Sequence, residues 1–175
     1  PLSGILILSM EQAVAGPFCS NRLLLAGARV IKIERKDGGD FARGYDTAAK
    51  GDSSYFVWLN QGKESISLDL KEEEDRKMFF NIIRKADVFI QNFAPNTMTK
   101  LGLEKTALKQ VNPELVVCDI SGYGSSPLLS GKKSYDLLIQ AESGLIDVSG
   151  SPEGVGRIGV SICDIGAGMA AHSSV

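Results

Sequence analysis

The stretch Gly4–Glu34, GILILSMEQAVAGPFCSNRLLLAGARVIKIE, decides the fold. Ile5-Leu6-Ile7-Leu8 is a short apolar run behind a glycine and reads as a buried strand. Gly16-Pro17 opens, and Gly27 closes, a segment over Phe18–Ala26 that reads as a helix. Proline near a helix start and glycine past its end fit the usual asymmetry. Val30-Ile31-Lys32-Ile33-Glu34 reads as a second strand. Strand, helix and strand make a β-α-β unit of ordinary size, which implies a right-handed crossover and a parallel sheet.

The same alternation continues along the chain. Asp37–Asp52, with Gly38-Gly39, Gly44 and Gly51, reads as a loop, and Ser65–Leu70 alternates like a strand. Lys71–Lys85 is the clearest helix, with Met78, Phe79, Ile82 and Ile83 expected on one face. Asp87–Gln91 reads as a strand, Asn92–Asn96 as a turn, Glu104–Gln110 as a short helix ended before Asn112-Pro113, and Leu115–Ile120 as another strand. Ser121–Lys133 and Ser149–Gly159 read as loops, Tyr135–Ser143 as a helix, Val160–Cys163 as a short strand or turn, and Asp164 onward as a helix. The expected fold class is α/β: a doubly wound, Rossmann-like parallel sheet with helices on both faces. Ligands in such folds bind at the carboxyl ends of the strands. Those ends carry Ser9–Pro17, Glu34–Asp40, Gln91–Pro95 and Ser121–Gly124.

Composition removes several functional classes. The 175 residues carry 19 Lys and Arg against 21 Asp and Glu, a net charge of −2, without the basic excess of a nucleic-acid binder. A polyanion would have to be held by a local basic patch. No apolar run approaches the roughly 18–20 residues that span a bilayer, and Pro1-Leu2-Ser3-Gly4 does not open a secretory signal. Cys19, Cys118 and Cys163 are scattered and include no CxxC pair, which argues against a disulfide framework or a zinc site and for a cytoplasmic protein with no metal. His172 is the one histidine and reads as a structural or surface side chain.

Familiar motifs fail. No GxGxxG follows the first strand. Gly131-Lys132-Lys133 lacks the upstream glycine and the Ser or Thr of a P-loop, and Gly159-Val160-Ser161-Ile162-Cys163 lacks the last glycine of a nucleophile elbow. Cys163 reads as a buried, inert thiol.

Several stretches together resemble a known family. They are Ala15-Gly16-Pro17-Phe18-Cys19, Gly27–Arg35, Gly39-Asp40 with Arg43-Gly44, and Asn60-Gln61-Gly62-Lys63 with Ser65-Ile66. They continue with Ala86–Pro95, Leu101-Gly102-Leu103, Ser121-Gly122-Tyr123-Gly124, Ser134–Gly144 and Gly159–Asp164. Their order and spacing resemble the class III CoA-transferases of the CaiB/BaiF type, which include formyl-CoA transferase, carnitine CoA-transferase and α-methylacyl-CoA racemase. The resemblance runs from about Leu2 to Val175. It implies that residues 1–175 are a single CoA-binding and catalytic α/β domain, the amino-terminal portion of a longer protein that forms an interlocked homodimer.

The resemblance also implies a mechanism and a site. The family's aspartate nucleophile matches Asp164, which would take an acyl group and then CoA in covalent linkage. On the residues alone Asp164 reads either as a helix N-cap or as a carboxylate kept ionised by free N–H groups and the helix dipole. CoA-binding positions match Val14, Ala15, Arg35, Leu68 to Lys71, Asn92, Phe93, Ala94, Lys100, Lys133 and Tyr135. Arg35, Lys71, Lys100 and Lys133 could meet the phosphates of CoA, and Phe93 and Leu68 its adenine. No permanently bound cofactor is implied: coenzyme A and acyl-CoA are substrates, with a carboxylic acid as the second. Val14 stands where formyl-CoA transferases carry Gln, which argues against formate or oxalate. Tyr135 stands where the racemases carry a proton-moving His. An unperturbed tyrosine titrates near pH 10 and suits that task poorly, so transfer is favoured over racemisation. YDLLIQAESGL, residues 135–145, looks most like members acting on dicarboxylic acids. A CoA-binding portion without catalysis of its own remains an alternative.

Overall fold

The computed structural model describes residues 1–124, 126, 128, 129 and 131–175. Three residues of the expected loop Ser121–Lys133 (Ser125, Pro127 and Ser130) lie outside the described residues. Strands β1 (Leu6–Met10), β2 (Arg29–Glu34), β3 (Glu64–Ser67), β4 (Val88–Gln91) and β5 (Val116–Asp119) form one sheet in the order β3-β2-β1-β4-β5. Every pairing is parallel, with Leu8 opposite Ile31 on one side and Phe89 on the other. The order reverses at β1, so the crevice between the carboxyl ends of β1 and β4 is the topological switch point where such folds take ligands.

Side chains alternate across β1, and each face has its own core. Leu8 and Met10 face a cluster with Phe79 and Ile83 of α3 (Glu73–Ile83), Leu108 of α5 (Lys105–Val111) and Leu103, with Met98 and Leu101 of α4 (Thr97–Leu101) packed against it. Ile7 faces Cys19 and Leu23 of α1 (Ala15–Leu25), with Cys118 and with Ala171 of α8 (Ile162–Ser174) at its margin. Helices therefore cover both faces, as expected of a doubly wound sheet. Helix α3 begins with Glu73, Glu74 and Asp75, which suit the positive end of its dipole. Met78, expected on its apolar face, is 49% exposed, because the buried stripe runs through Phe79 and Ile83 one residue further round.

Other elements differ from the sequence expectation. Helix α2 (Ser54–Asn60) was not anticipated: Tyr55, Phe56, Val57 and Trp58 favour strands, but Ser53 caps the helix by accepting the Phe56 N–H at 3.3 Å. Helices α6 (Asp136–Glu142) and α7 (Leu145–Val148) follow the β5 loop, and Gly144 between them has φ +75°. Helix α8 starts two residues before Asp164, where a strand or turn was expected.

Helices α1 and α8 pack closely at one point. A Cβ on Gly168 would lie 2.7 Å from the Ala15 carbonyl oxygen and 3.1 Å from Phe18 Cβ. Gly168→Ala should force the helices apart and cost about 1–3 kcal/mol in urea unfolding. Beneath α1, Lys63 Nζ meets Glu11 Oε1 at 2.7 Å, with the two side chains 2% and 0% exposed. Lys63→Met should cost more, about 3–5 kcal/mol, because it leaves the Glu11 charge buried and uncompensated.

Candidate active site

The loop between β1 and α1 is held from several sides. The Gln12 N–H donates to Asn92 Oδ1 at 2.9 Å, and Asn92 Nδ2 donates back to the Gln12 carbonyl at 2.8 Å. This closes the switch point between β1 and β4. The Ala13 N–H donates to Asp40 Oδ1 at 3.1 Å, and Ala13 has φ +60°. Val14, 2% exposed, and Ala15, 8% exposed, follow at the start of α1, which has no side-chain cap. Val14, Ala15 and Asn92 are thus brought together.

The remaining candidate residues lie on other segments. Arg35, after β2, turns its guanidinium onto the Gly39 carbonyl, Nη2 to O 3.0 Å. Leu68, after β3, is buried in the core, and Phe93 packs against the same cluster. Ala94, Lys71, Lys100 and Lys133 are exposed, and Tyr135 is 63% exposed at the start of α6.

Asp164 is the third residue of α8, not its N-cap, and is half-buried. The N–H groups that were expected to stabilise it are taken by another carboxylate. Asp136 Oδ1 accepts from the N–H of Cys163 at 2.8 Å and of Asp164 at 3.3 Å. Asp136 Oδ2 accepts from Gln140 Nε2 at 2.6 Å, and the buried Gln140 in turn accepts the Ile158 N–H at 2.9 Å. Burial first, and then the Asp136 charge, push the Asp164 carboxyl up to about 6. The expectation of an Asp164 kept strongly ionised by the helix start is therefore corrected, because Asp136 is the anion that occupies that start. Burial, Asp136 and Asp164 also push the Cys163 thiol up, which keeps it protonated and a poor nucleophile.

An aromatic string runs past this carboxylate. Phe41 and Tyr45 have ring centroids 5.8 Å apart, Tyr45 and Tyr55 6.1 Å, Tyr55 and Trp58 5.7 Å, and Trp58 and Phe18 6.1 Å. Phe18 lies against Gly168, one turn along α8 from Asp164. Burial, with the charges of Asp40 and Asp164 behind it, pushes the Tyr45 hydroxyl up to about 12, so it stays a neutral donor. Neither Tyr45 nor Asp136 stood out in the sequence. The Tyr135-Asp136 helix start was legible, but no local pattern says that its carboxylate reaches a helix 27 residues away. Among the described residues no cluster of His, Cys, Asp and Glu could hold a metal ion, and no helix is long and apolar enough to cross a membrane.

A family model described as CoA-transferase family III matches residues 2–175. The acetyl-CoA:oxalate CoA-transferase of Acetobacter aceti is 39% identical over 97% of this chain and 44% of its own length. The succinate–glutarate CoA-transferase of Agrobacterium fabrum is 34% identical over 100% of this chain and 46% of its own. The human succinyl-CoA:glutarate CoA-transferase is 32% identical over 100% and 40%. Among solved structures, a CaiB/BaiF family protein from Brucella suis superposes with TM-score 0.92 at 33% identity, over 99% of this chain and 47% of that one. The chain spans less than half the length of these relatives.

The Asp164 carboxyl ties pH to stability. Its raised value means that its contribution is full below the ordinary 3.8, where the carboxyl is protonated folded and unfolded, and is lost as pH rises through about 6. Asp164→Asn should therefore be more stable than the parent by about 1–2 kcal/mol at pH 8, after allowance for solvent screening, and equal to it near pH 4. Urea unfolding at the two pH values measures this. Asp136→Asn keeps an oxygen acceptor but removes the charge, so the Asp164 midpoint followed by carbon-13 NMR should fall below 6.

Proposed function

This chain belongs to CoA-transferase family III, and we propose that it carries the nucleophile and much of the CoA site of an enzyme moving CoA from an acyl-CoA to a dicarboxylic acid. The observation that carries this reading is the setting of Asp164, half-buried beside the aromatic string and raised to about 6. A carboxylate of that basicity is still mostly ionised at neutral pH and is a stronger nucleophile than an ordinary aspartate. Asp136, by taking the α8 N–H groups, leaves the Asp164 oxygens free to react.

In the proposed sequence an Asp164 oxygen attacks the thioester carbonyl. The C–S bond breaks, CoA thiolate leaves, and an aspartyl–acyl anhydride forms. The thiolate attacks the Asp164 carbonyl carbon and expels the first acid as its carboxylate, giving an aspartyl-CoA thioester. The second acid's carboxylate attacks that thioester, regenerating an anhydride and free thiolate. The thiolate then attacks the new acyl carbonyl, forming the product acyl-CoA and restoring the Asp164 carboxylate. No external acid, base or redox partner is consumed.

Val14, Ala15, Asn92, Phe93 and Ala94 at the switch point are proposed to line the CoA, together with Arg35, Leu68, Lys71, Lys100, Lys133 and Tyr135. The placement of Val14, Ala15, Asn92 and Phe93 beside the carboxyl ends of β1 and β4 supports this. A dicarboxylic acceptor is supported by relatives named for oxalate, succinate and glutarate, the oxalate relative standing against the expectation drawn from Val14. A homodimer is proposed from the family resemblance; Leu128, Val148 and Val155, 94%, 80% and 70% exposed, are apolar side chains such an assembly could cover.

The test is trapping. Incubation with acyl-CoA and hydroxylamine should leave a hydroxamate on Asp164, located by peptide mass spectrometry. Asp164→Ala should abolish transfer and retain CoA binding, and kcat should fall on the acid side with a midpoint near 6. Full turnover by Asp164→Ala would overturn the mechanism.

A further inference from the structure

Asp40 is fully buried, and both of its oxygens are engaged. Oδ2 accepts from the equally buried Lys32 Nζ at 2.6 Å. Oδ1 accepts the Ala13 N–H at 3.1 Å and the Ala42 N–H at 2.9 Å. Ala13 has φ +60°, a region that L side chains seldom adopt without outside support. Ala13 sits two residues before Ala15, whose carbonyl oxygen meets the bare Gly168 backbone of α8. Gly168 lies one turn beyond Asp164 on the same face of that helix. A contiguous set of contacts therefore runs from Lys32 through Asp40, Ala13 and the first turn of α1 to the helix bearing the carboxylate.

We propose that Asp40, held by Lys32, is a positioning residue for CoA transfer: it keeps Ala13 left-handed and so sets the first turn of α1 and, through Gly168, the place of Asp164 relative to the thioester. The proposal rests on the reading of Asp164 as nucleophile. Both Asp40 oxygens are taken by Lys32, Ala13 and Ala42, so Asp40 acts through the backbone it holds. Its effect belongs on kcat, because misplacing a nucleophile by about 1 Å costs up to about 10²-fold in rate.

Asp40→Ala alone would strand the Lys32 ammonium in the interior. The informative protein is the double variant Lys32→Met/Asp40→Ala, which removes both charges together. It is compared, in the enzyme carrying this chain, with the parent and with a triple variant that adds Ala13→Gly. Glycine adopts positive φ without support, so it replaces what Asp40 does for the backbone while restoring none of its packing or charge. The double variant should fold and lose at least about tenfold in kcat with less than about threefold change in KM for acyl-CoA, and Ala13→Gly should recover most of the loss. Loosening of α1 against α8 should also bring solvent to Asp164 and lower its NMR titration midpoint from about 6. A folded double variant with kcat within twofold of the parent, or a loss that Ala13→Gly leaves unchanged, overturns the proposal. If the parent transfers no CoA, the reading of Asp164 fails, and the titration decides the positioning claim: a midpoint unmoved in the double variant overturns it.

Discussion

Four buried charges under helix α1 hold the carboxyl edge of the sheet together. Lys32 bridges Asp40 and Asn60 at 2.6 and 2.9 Å, and Lys63 bridges Glu11 and the same Asn60 at 2.7 and 3.2 Å. Two ammonium groups and two carboxylates balance, which is the condition for keeping charge out of water. Burial pushes the Glu11 carboxyl up, but the charges of Lys63 and Lys32 outweigh it and hold Glu11 below the ordinary carboxylate range. Burial also lowers Lys63 against the pull of the Glu11 carboxylate 2.7 Å away. Because these groups sit on β2, on α2 and in the loops after β1, β2 and α2, the network fixes how those loops leave the sheet.

A second set of contacts extends the same order outward. Glu34, at the end of β2, accepts a two-pronged contact from Arg43, both distances 2.8 Å, as well as Ser65 Oγ and the Asp40 N–H. Burial opposes its charge, but these donors hold its carboxyl down to about 2. The Arg43 guanidinium lies 3.9 Å above the Phe56 ring, joining α2 to the loop. The aromatic string is thus anchored at its base while Phe41, Tyr45 and Trp58 stay 40%, 47% and 47% exposed.

Asp136 and Asp164 show how one helix start can set two carboxylates apart. Only one anion can take the free N–H groups of α8, and Asp136 does so from a neighbouring helix. Asp164, on the helix itself, is left with burial and a like charge, and is raised rather than lowered. The division separates a carboxylate that holds structure from one suited to attack.

Much of the framework was legible from local pattern. Apolar runs, Gly27 and the amphipathic segment through Phe79 and Ile83 placed the five strands, α1 and α3, because strand and helix periodicity is a short-range property. The resemblance, carried by spaced motifs, pointed to Asp164. Helix α2 was not legible, since its aromatic residues favour strands and the Ser53 cap together with packing against Arg43 and α1 decides otherwise. Nor were the fates of the charges. Lys32 and Lys63 look like solvated lysines in the chain and are 1% and 2% exposed in the fold. The sequence by itself determined the alternation of elements and the family motifs, while only the tertiary structure decided which charges are buried and which carboxylate is raised. The physical reason is range: the contacts that decide it join residues 27, 52 and 80 positions apart, and no periodicity encodes a partner at that distance.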